Sequence, residues 1–159
     1  HNSFGTNLRL TEAQSAIGRM QLKKLKKFIK IRNANSKKIL FSLKKYKSVN
    51  IPLIPNNITH AFYRCYIQIN HKHLKKGWTK YKIIKNLIDY GVPCNEGSCS
   101  ELYREKSFKN YGYSPKNRLK NARKLSETSI AFQVDHTINL KQLQKIILSV
   151  KQIFRKATA

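Results

Sequence analysis

Acidic residues are scarce in this chain of 159 residues, which has 7 Asp and Glu against 33 Lys and Arg. The resulting formal charge of +26 predicts attraction to phosphate backbones or anionic surfaces. Most of these cations are lysines, however, whereas readers of nucleic-acid bases depend on the planar fork of arginine. We therefore keep a basic nucleic-acid-binding module as an alternative function and do not expect nucleic acid as the main partner.

Cysteines and long apolar runs are also few. The three cysteines, Cys65, Cys94 and Cys99, are too scattered for a disulfide framework, which is typical of a reducing compartment and predicts a cytoplasmic location. No apolar run approaches the roughly 18 residues that cross a bilayer, so we expect no membrane partner. The chain starts at His1 rather than Met and has no secretory signal, which favours a piece of a longer protein.

Metal ligands at useful spacing are missing as well. Cys94 and Cys99 lie five residues apart without paired ligands, and His71 and His73 are explained as turn residues, so we predict no metal site. Cys99 has no base close to it in the sequence, which gives no reason to treat it as a nucleophile.

Helical periodicity is clear at both ends of the chain. Thr11 and Gln14 form a capping-box pattern, and apolar residues at three- and four-residue spacing predict a helix from there to about Tyr46. An apolar stripe predicts a last helix over about 139–155 and includes Leu140, Leu143, Ile146, Ile147, Val150 and Ile153.

The middle of the chain mixes both kinds of element. Alternation over 62–69 predicts a half-buried strand with Tyr63, Cys65, Ile67 and Ile69 on one side. A helix is predicted over about 78–90, with Gly91 at its C-terminal end. The residues predicted to face the core are Trp78, Tyr81, Ile84, Leu87 and Ile88. Shorter helical pieces are predicted over 101–108 and 118–126.

The run GTNLRLTEAQSAIGRMQL, from Gly5 to Leu22, carries the most specific signal. It resembles a stretch past mid-chain in the DegT/DnrJ/StrS-type aminotransferases of nucleotide-sugar and surface-polysaccharide biosynthesis, with Ser15 where the family usually has alanine. Arg32 matches a later arginine of the family. The positions that fit in order are Gly5, Asn7, Arg9, Leu10, Thr11, Glu12, Ile17, Gly18, Gln21 and Leu22.

The resemblance covers the whole chain but only about the last two fifths of a family member. It implies an α+β fold: a long N-terminal linker helix followed by the small C-terminal domain of a fold-type I aminotransferase, with a small antiparallel sheet packed with helices. We accordingly expect residues 1–48 to be the end of the large domain with the connecting helix, and 49–159 to be the small domain.

The same resemblance implies pyridoxal phosphate as cofactor, bound mainly by an N-terminal part that this chain lacks. Family members hold the cofactor as a Schiff base on a lysine in an upstream serine- and glycine-rich segment. Since that segment is not found here, we assign no catalytic residue and expect the chain to be inactive alone. Asn7 and Arg9 are the expected cofactor-binding residues. They are expected to reach the phosphate of the cofactor in the neighbouring subunit of a homodimer.

The expected substrates are a nucleotide-linked keto-sugar and an amino-acid donor, such as glutamate, in surface-polysaccharide or lipopolysaccharide biosynthesis. In the family a His-Tyr pair approaches the sugar, and Gly97 and Ser98 occupy those positions here. Altered sugar recognition follows, with Ser98, Cys99 and Tyr103 as candidate substrate-binding residues. Besides the nucleic-acid-binding module, an inactive gene remnant stays open as an alternative.

Overall fold

The structure is a computed structural model that describes residues 4–5 and 9–159. Within this part of the chain lie five α-helices and four strands, together with two 3₁₀ turns at His71–His73 and Leu102–Arg104. The helices are α1 (Glu12–Leu43), α2 (Lys80–Asp89), α3 (Lys106–Asn110), α4 (Lys120–Thr128) and α5 (Leu140–Ala157). The strands are β1 (Val49–Asn50), β2 (Cys65–Ile69), β3 (Cys94–Asn95) and β4 (Ser129–Phe132).

The strands form one antiparallel sheet in the order β1-β2-β4-β3. The longest pairing is between β2 and β4, where Cys65 lies opposite Phe132 and Ile67 opposite Ile130. Strand β4 is buried at all four positions, as a central strand covered on both faces must be. The small antiparallel sheet and the α+β fold class predicted from the sequence are confirmed.

Side-chain caps fix where the two long helices begin. At the start of α1, the Thr11 amide donates to Gln14 Oε1 at 3.0 Å, and the Gln14 amide donates to Thr11 Oγ1 at 3.2 Å. Asn139 and Gln142 form the same reciprocal pair before α5, at 2.9 Å in both directions. Each pair satisfies amides that the first helical turn leaves without partners. Both predicted helices are therefore confirmed.

The apolar core lies where β2 and β4 meet the helices. It draws Ile39 and Leu43 from the end of α1, whereas the apolar residues earlier in α1, such as Ile17 and Met20, are exposed. Arg32 ties this part of α1 to the segment after β4, with Nη2 at 3.8 Å from Asp135 Oδ2. The largest contributions from the other elements are Ile67, Ile69, Ile83, Leu87, Ile130, Phe132, Val150, Ile153 and Phe154.

Helix α2 is three residues shorter than predicted, and Ile84 and Leu87 are buried as predicted. Thr79 caps it, accepting from the Lys82 amide at 3.1 Å, and Gly91 follows it with φ of +75°. The glycine at its end is thus confirmed. The inward positions Tyr81 and Ile88 were predicted wrongly: they are 63% and 54% exposed, because Ile83 and Lys80 take the buried face instead.

Two further expectations need correction. Strand β2 begins at Cys65 rather than at 62, because Phe62 has φ of +44° and the next two residues bend away from the sheet. Tyr63 consequently lies 77% exposed instead of beside Cys65. Leu140 is 71% exposed, since the first turn of α5 extends beyond the core.

The chain divides into two compact units. The first unit combines the described residues up to Lys26 with Ser98–Glu127, and the second unit combines Lys27–Gly97 with Thr128–Ala159. The sheet and the apolar core belong to the second unit. The domain boundary expected near residue 48 stays a prediction. No helix in the described ranges is both long enough and apolar enough to cross a membrane.

Replacing Asn139 by alanine tests the cap of α5. The Gln142 amide would lose its acceptor at the helix start, so we expect the free energy of unfolding to fall by about 1 kcal/mol in urea denaturation. Gln144→Ala is the matched control, because Gln144 is exposed within the same helix. An equal loss in both variants would show that the cap contributes nothing.

Candidate functional site

The loop that leads to the candidate substrate residues leaves the sheet at β3. Its turn is held by Asn95, whose Oδ1 accepts from the Gly97 amide at 2.8 Å. Gly97 has φ of +94°, and a Cβ at this position would lie 2.6 Å from Cε1 of Tyr66 on β2. Both the backbone conformation and the close approach require glycine. The backbone of the loop is therefore pressed against a side chain of the sheet.

A buried lysine supports the same loop from α2. Lys80 is 1% exposed, and its ammonium donates to Glu96 Oε2 at 2.9 Å while lying 4.7 Å from the centre of the Tyr81 ring. A buried ammonium without a carboxylate would be costly, so this pair fixes Glu96 beside Gly97. The sequence analysis missed Lys80, since helical periodicity alone does not distinguish a buried lysine from an exposed one.

Ser98 and Cys99 begin the second segment of the first unit, and both are exposed. The Cys99 thiol donates to Glu105 Oε1 at 3.4 Å. Partial burial, followed by this hydrogen bond to a carboxylate, raises the pKa of the Cys99 thiol. Because the reactive form of cysteine is the thiolate, this environment opposes a nucleophilic role and leaves Cys99 as a neutral polar group.

Tyr103 has a different environment from these two residues. Its hydroxyl donates to Glu101 Oε1 at 2.7 Å and accepts from the Leu119 amide at 3.0 Å. Burial and the Glu101 hydrogen bond raise the pKa of Tyr103. The hydroxyl thus joins the 3₁₀ turn to the start of α4.

Glu101 is the centre of a network that the sequence analysis did not identify. The residue is 4% exposed, and its carboxylate accepts a hydrogen bond from Arg118 Nε at 2.8 Å. It also accepts hydrogen bonds from Arg118 Nη2, and from Arg104 Nη1 at 3.3 Å. Arg118, followed by Tyr103, lowers the pKa of Glu101 to about 2. The signal in the sequence that could have indicated this network was the scarcity of acidic residues, because each carboxylate in such a basic chain has many possible cationic partners.

The N-terminal residues of the first unit pack against aromatic side chains. The Phe4 ring lies 5.1 Å from Phe108, 5.2 Å from Tyr111 and 6.1 Å from Tyr113 between ring centres. Arg9 is exposed, and Asn7 lies outside the described residues. Arg9, Ser98, Cys99 and Tyr103 consequently all belong to the same compact unit.

The described residues offer no metal centre. In 4–5 and 9–159, no three His, Cys, Asp or Glu side chains are grouped where they could hold a metal ion. Cys65 and Cys94 are buried thiols whose pKa burial raises to about 12. These two cysteines therefore pack as small apolar groups.

Replacing Gly97 by alanine should destabilise the loop for two separate reasons. The left-handed backbone costs an L-residue about 1–2 kcal/mol, and the clash with Tyr66 adds about 1–3 kcal/mol of overpacking. Gly77→Ala is the matched control, with φ of +81° and no atom within 4 Å of the new Cβ. Urea denaturation should show the larger loss for Gly97→Ala. Equal losses would mean that Tyr66 simply moves aside.

The depressed pKa of Glu101 predicts acid sensitivity of the first unit. Its carboxyl titrates near 4.5 in a solvated chain and at about 2 when folded, so the ionised form favours folding above pH 4.5. That contribution is lost as the pH falls from 4.5 toward 2. NMR titration of the Glu101 carboxyl measures this directly, and hydrogen exchange of 102–110 reports the accompanying loosening.

Arg118→Lys provides the matched variant for this titration. Lysine retains the charge but cannot form the forked contact with Glu101, so we expect the pKa of Glu101 to rise toward its usual range. An unchanged titration in the lysine variant would contradict the assignment of Arg118 as the main cause.

The chain is similar to known proteins both in sequence and in structure. A profile of the DegT/DnrJ/EryC1/StrS aminotransferase family matches residues 1–151. The aminotransferase from Psychrobacter cryohalolentis superposes with a TM-score of 0.85 at 36% identity, over 98% of this chain and 41% of that one. No curated protein sequence matches the chain.

Two more distant structures share the fold. DesV of S. venezuelae superposes with a TM-score of 0.78 at 16% identity, over 97% of this chain and 39% of its own. PseC of Helicobacter pylori is an aminotransferase involved in the biosynthesis of pseudoaminic acid. It superposes with a TM-score of 0.76 at 24% identity, over 96% of this chain and 40% of its own. The chain therefore spans about two fifths of each of these relatives, and it belongs to the DegT/DnrJ/EryC1/StrS aminotransferase family, whose cofactor is pyridoxal phosphate.

Proposed function

We propose that this chain is the C-terminal part of a pyridoxal-phosphate-dependent enzyme that transfers an amino group from an amino acid to a nucleotide-linked keto-sugar. The family match over residues 1–151 carries the proposal. The donor is expected to be glutamate, and the product to enter surface-polysaccharide or lipopolysaccharide biosynthesis in the cytoplasm. When bound, the cofactor supplies the electron sink for moving the amino group.

The lysine that binds the cofactor is proposed to lie in the part of the enzyme not represented in these 159 residues. The buried lysine of the chain, Lys80, does not suit that role, because its ammonium is engaged with the Glu96 carboxylate at 2.9 Å and with the Tyr81 ring. An attacking amine must instead be neutral and free to reach an aldehyde. We accordingly propose that this chain meets the cofactor at its phosphate end.

Arg9 is the described residue that fits this phosphate end. Its guanidinium is exposed on the first unit, and a fixed guanidinium provides several donors to a phosphate. We propose that Arg9 acts together with Asn7, whose amide would also donate to the phosphate, and that both reach the cofactor of a partner subunit in a homodimer. The isolated chain is accordingly proposed to be inactive.

Ser98 and Cys99 are proposed to face the sugar. Both are exposed, and both follow a loop whose path is fixed by Gly97 and by the Lys80–Glu96 pair. Tyr103 is retained as a substrate-side residue through its ring, because its hydroxyl is already occupied by Glu101 and Leu119. Gly97 and Ser98 in place of a His-Tyr pair, followed by the neutral thiol of Cys99, favour a different sugar from that of the commoner family members.

Testing the proposal requires the complete enzyme that contains this chain. We expect borohydride reduction of the enzyme with its cofactor to attach the cofactor to a lysine outside these 159 residues, as located by mass spectrometry. We also expect amino transfer from glutamate to a nucleotide-linked keto-sugar. Attachment to a lysine within this chain, or an enzyme that takes up no cofactor, would overturn the proposal.

The phosphate contact is tested in the same enzyme by Arg9→Ala. Losing a charge-assisted hydrogen bond costs about 1.5–3 kcal/mol, so we expect the Kd of pyridoxal phosphate to rise at least about tenfold. Arg155→Ala is the matched control, since Arg155 is an exposed arginine on α5. Pyridoxal, which lacks the phosphate, should bind equally well to both variants, and an equal loss for pyridoxal would contradict the assigned contact.

A further inference from the structure

An open groove lies between the end of α1 and the middle of α5, within the second unit. Its volume is about 580 Å³, in the range of small-molecule sites. Phe41 is 81% exposed at this groove, and Ile147 reaches it from the edge of the apolar core. Ser42 adds little polarity, because its hydroxyl donates to the Ile39 carbonyl at 2.7 Å within its own helix. The groove thus presents mainly apolar atoms.

Lysines surround this apolar groove. Those that line it are Lys38, Lys44, Lys45 and Lys151. In the described part of the chain, none of the ion pairs involves these four residues. Helix α5 contains no acidic residue, and the one acidic residue of α1 is Glu12 at its far end. The groove consequently combines an apolar floor with an unneutralised cationic rim.

This combination restricts what can cover the groove. A second copy of the same groove would bring a similar cationic rim against it, which opposes close contact between copies at this surface. A nucleic-acid strand would satisfy the lysines and can stack a base on Phe41, but it has no aliphatic group to fill the apolar floor. An anionic phospholipid satisfies both, because lysines extend their ammonium groups to headgroup phosphates while their stems and nearby apolar groups contact acyl chains.

We propose that the groove lined by Phe41, Ile147 and the four lysines is a contact site for anionic phospholipid at a membrane surface. Acyl-chain carbons enter between α1 and α5, and the lysine ammonium groups pair with the headgroups. The inference departs from the sequence expectation of no membrane partner, and it is independent of the aminotransferase proposal. It describes a peripheral contact and requires no membrane-spanning helix.

Vesicle sedimentation with the complete enzyme that contains this chain tests the proposal. We expect the enzyme to sediment with phosphatidylcholine vesicles that contain phosphatidylglycerol and to stay in solution with pure phosphatidylcholine. Phe41→Gln removes the exposed ring without removing charge, and we expect it to weaken vesicle binding about tenfold. Since the side chain is exposed, circular dichroism melting curves should match those of the parent enzyme.

A pair of charge-matched variants separates the groove from the general charge of the chain. Lys38, Lys44 and Lys151 are replaced by Gln in the first, and the exposed Lys75, Lys76 and Lys85 in the second. Both lose three charges, but we expect only the first to weaken vesicle binding, by about a hundredfold, because each lysine near an anionic surface contributes to the attraction. The second should stay within about twofold of the parent enzyme.

Several results would overturn the proposal. Equal weakening in the two triple variants would assign vesicle binding to net charge alone, and unchanged binding by Phe41→Gln would remove the apolar groove from the contact. Retention on single-stranded DNA that is lost in the groove variant, together with no vesicle binding, would assign the lysines to nucleic acid. Binding of soluble dodecyl phosphate without vesicle binding would exclude a membrane as the source of the ligand.

Discussion

The pairing of β2 with β4 is the interaction on which the second unit depends. These strands are separated by about sixty residues of chain, yet they meet in four registered pairs from Cys65–Phe132 to Gln68–Ser129. Strand β1 joins at the free edge of β2, and β3 joins at the free edge of β4. Helices α2 and α5 then cover the apolar side chains that this pairing brings together. Without it, no sheet would exist for the helices to pack against.

The same sheet supports the candidate substrate loop. Strand β3 directs the loop outward, Tyr66 on β2 sets how closely Gly97 must approach, and Lys80 on α2 fixes Glu96. The loop therefore depends on elements that are distant in sequence. In the first unit, a buried carboxylate has the corresponding role, because Glu101 collects Tyr103, Arg104 and Arg118. Carboxylates are few in this chain, and at these two places they determine the arrangement of several neighbours.

The positive charge acquires a more local meaning in the structure. Part of it is paired with carboxylates, as in the pairs of buried Lys80 with exposed Glu96 and of Arg32 with half-buried Asp135. Another part surrounds an apolar groove on helices that are nearly free of acidic residues. The composition gives only a net charge for the whole chain. The fold is what separates the cations with carboxylate partners from those that form a cationic surface.

Local interactions explain what the sequence determined. The cap at Thr11 and the glycine after α2 involve residues within a few positions of each other, so their patterns predicted these helix ends correctly, and the apolar stripe placed the last helix within two residues of its ends. The ordered motif from Gly5 to Leu22 likewise identified the family without a structure.

Tertiary structure alone decided the features that involve distant residues. Strand β4 has no alternation because it is covered on both faces, and its existence depends on β2. Nothing local in the sequence distinguishes buried Lys80 from exposed Tyr81, or identifies Arg118 as the partner of Glu101. Burial and ion pairing are properties of the assembled core, since they depend on which distant side chains exclude water from a given residue.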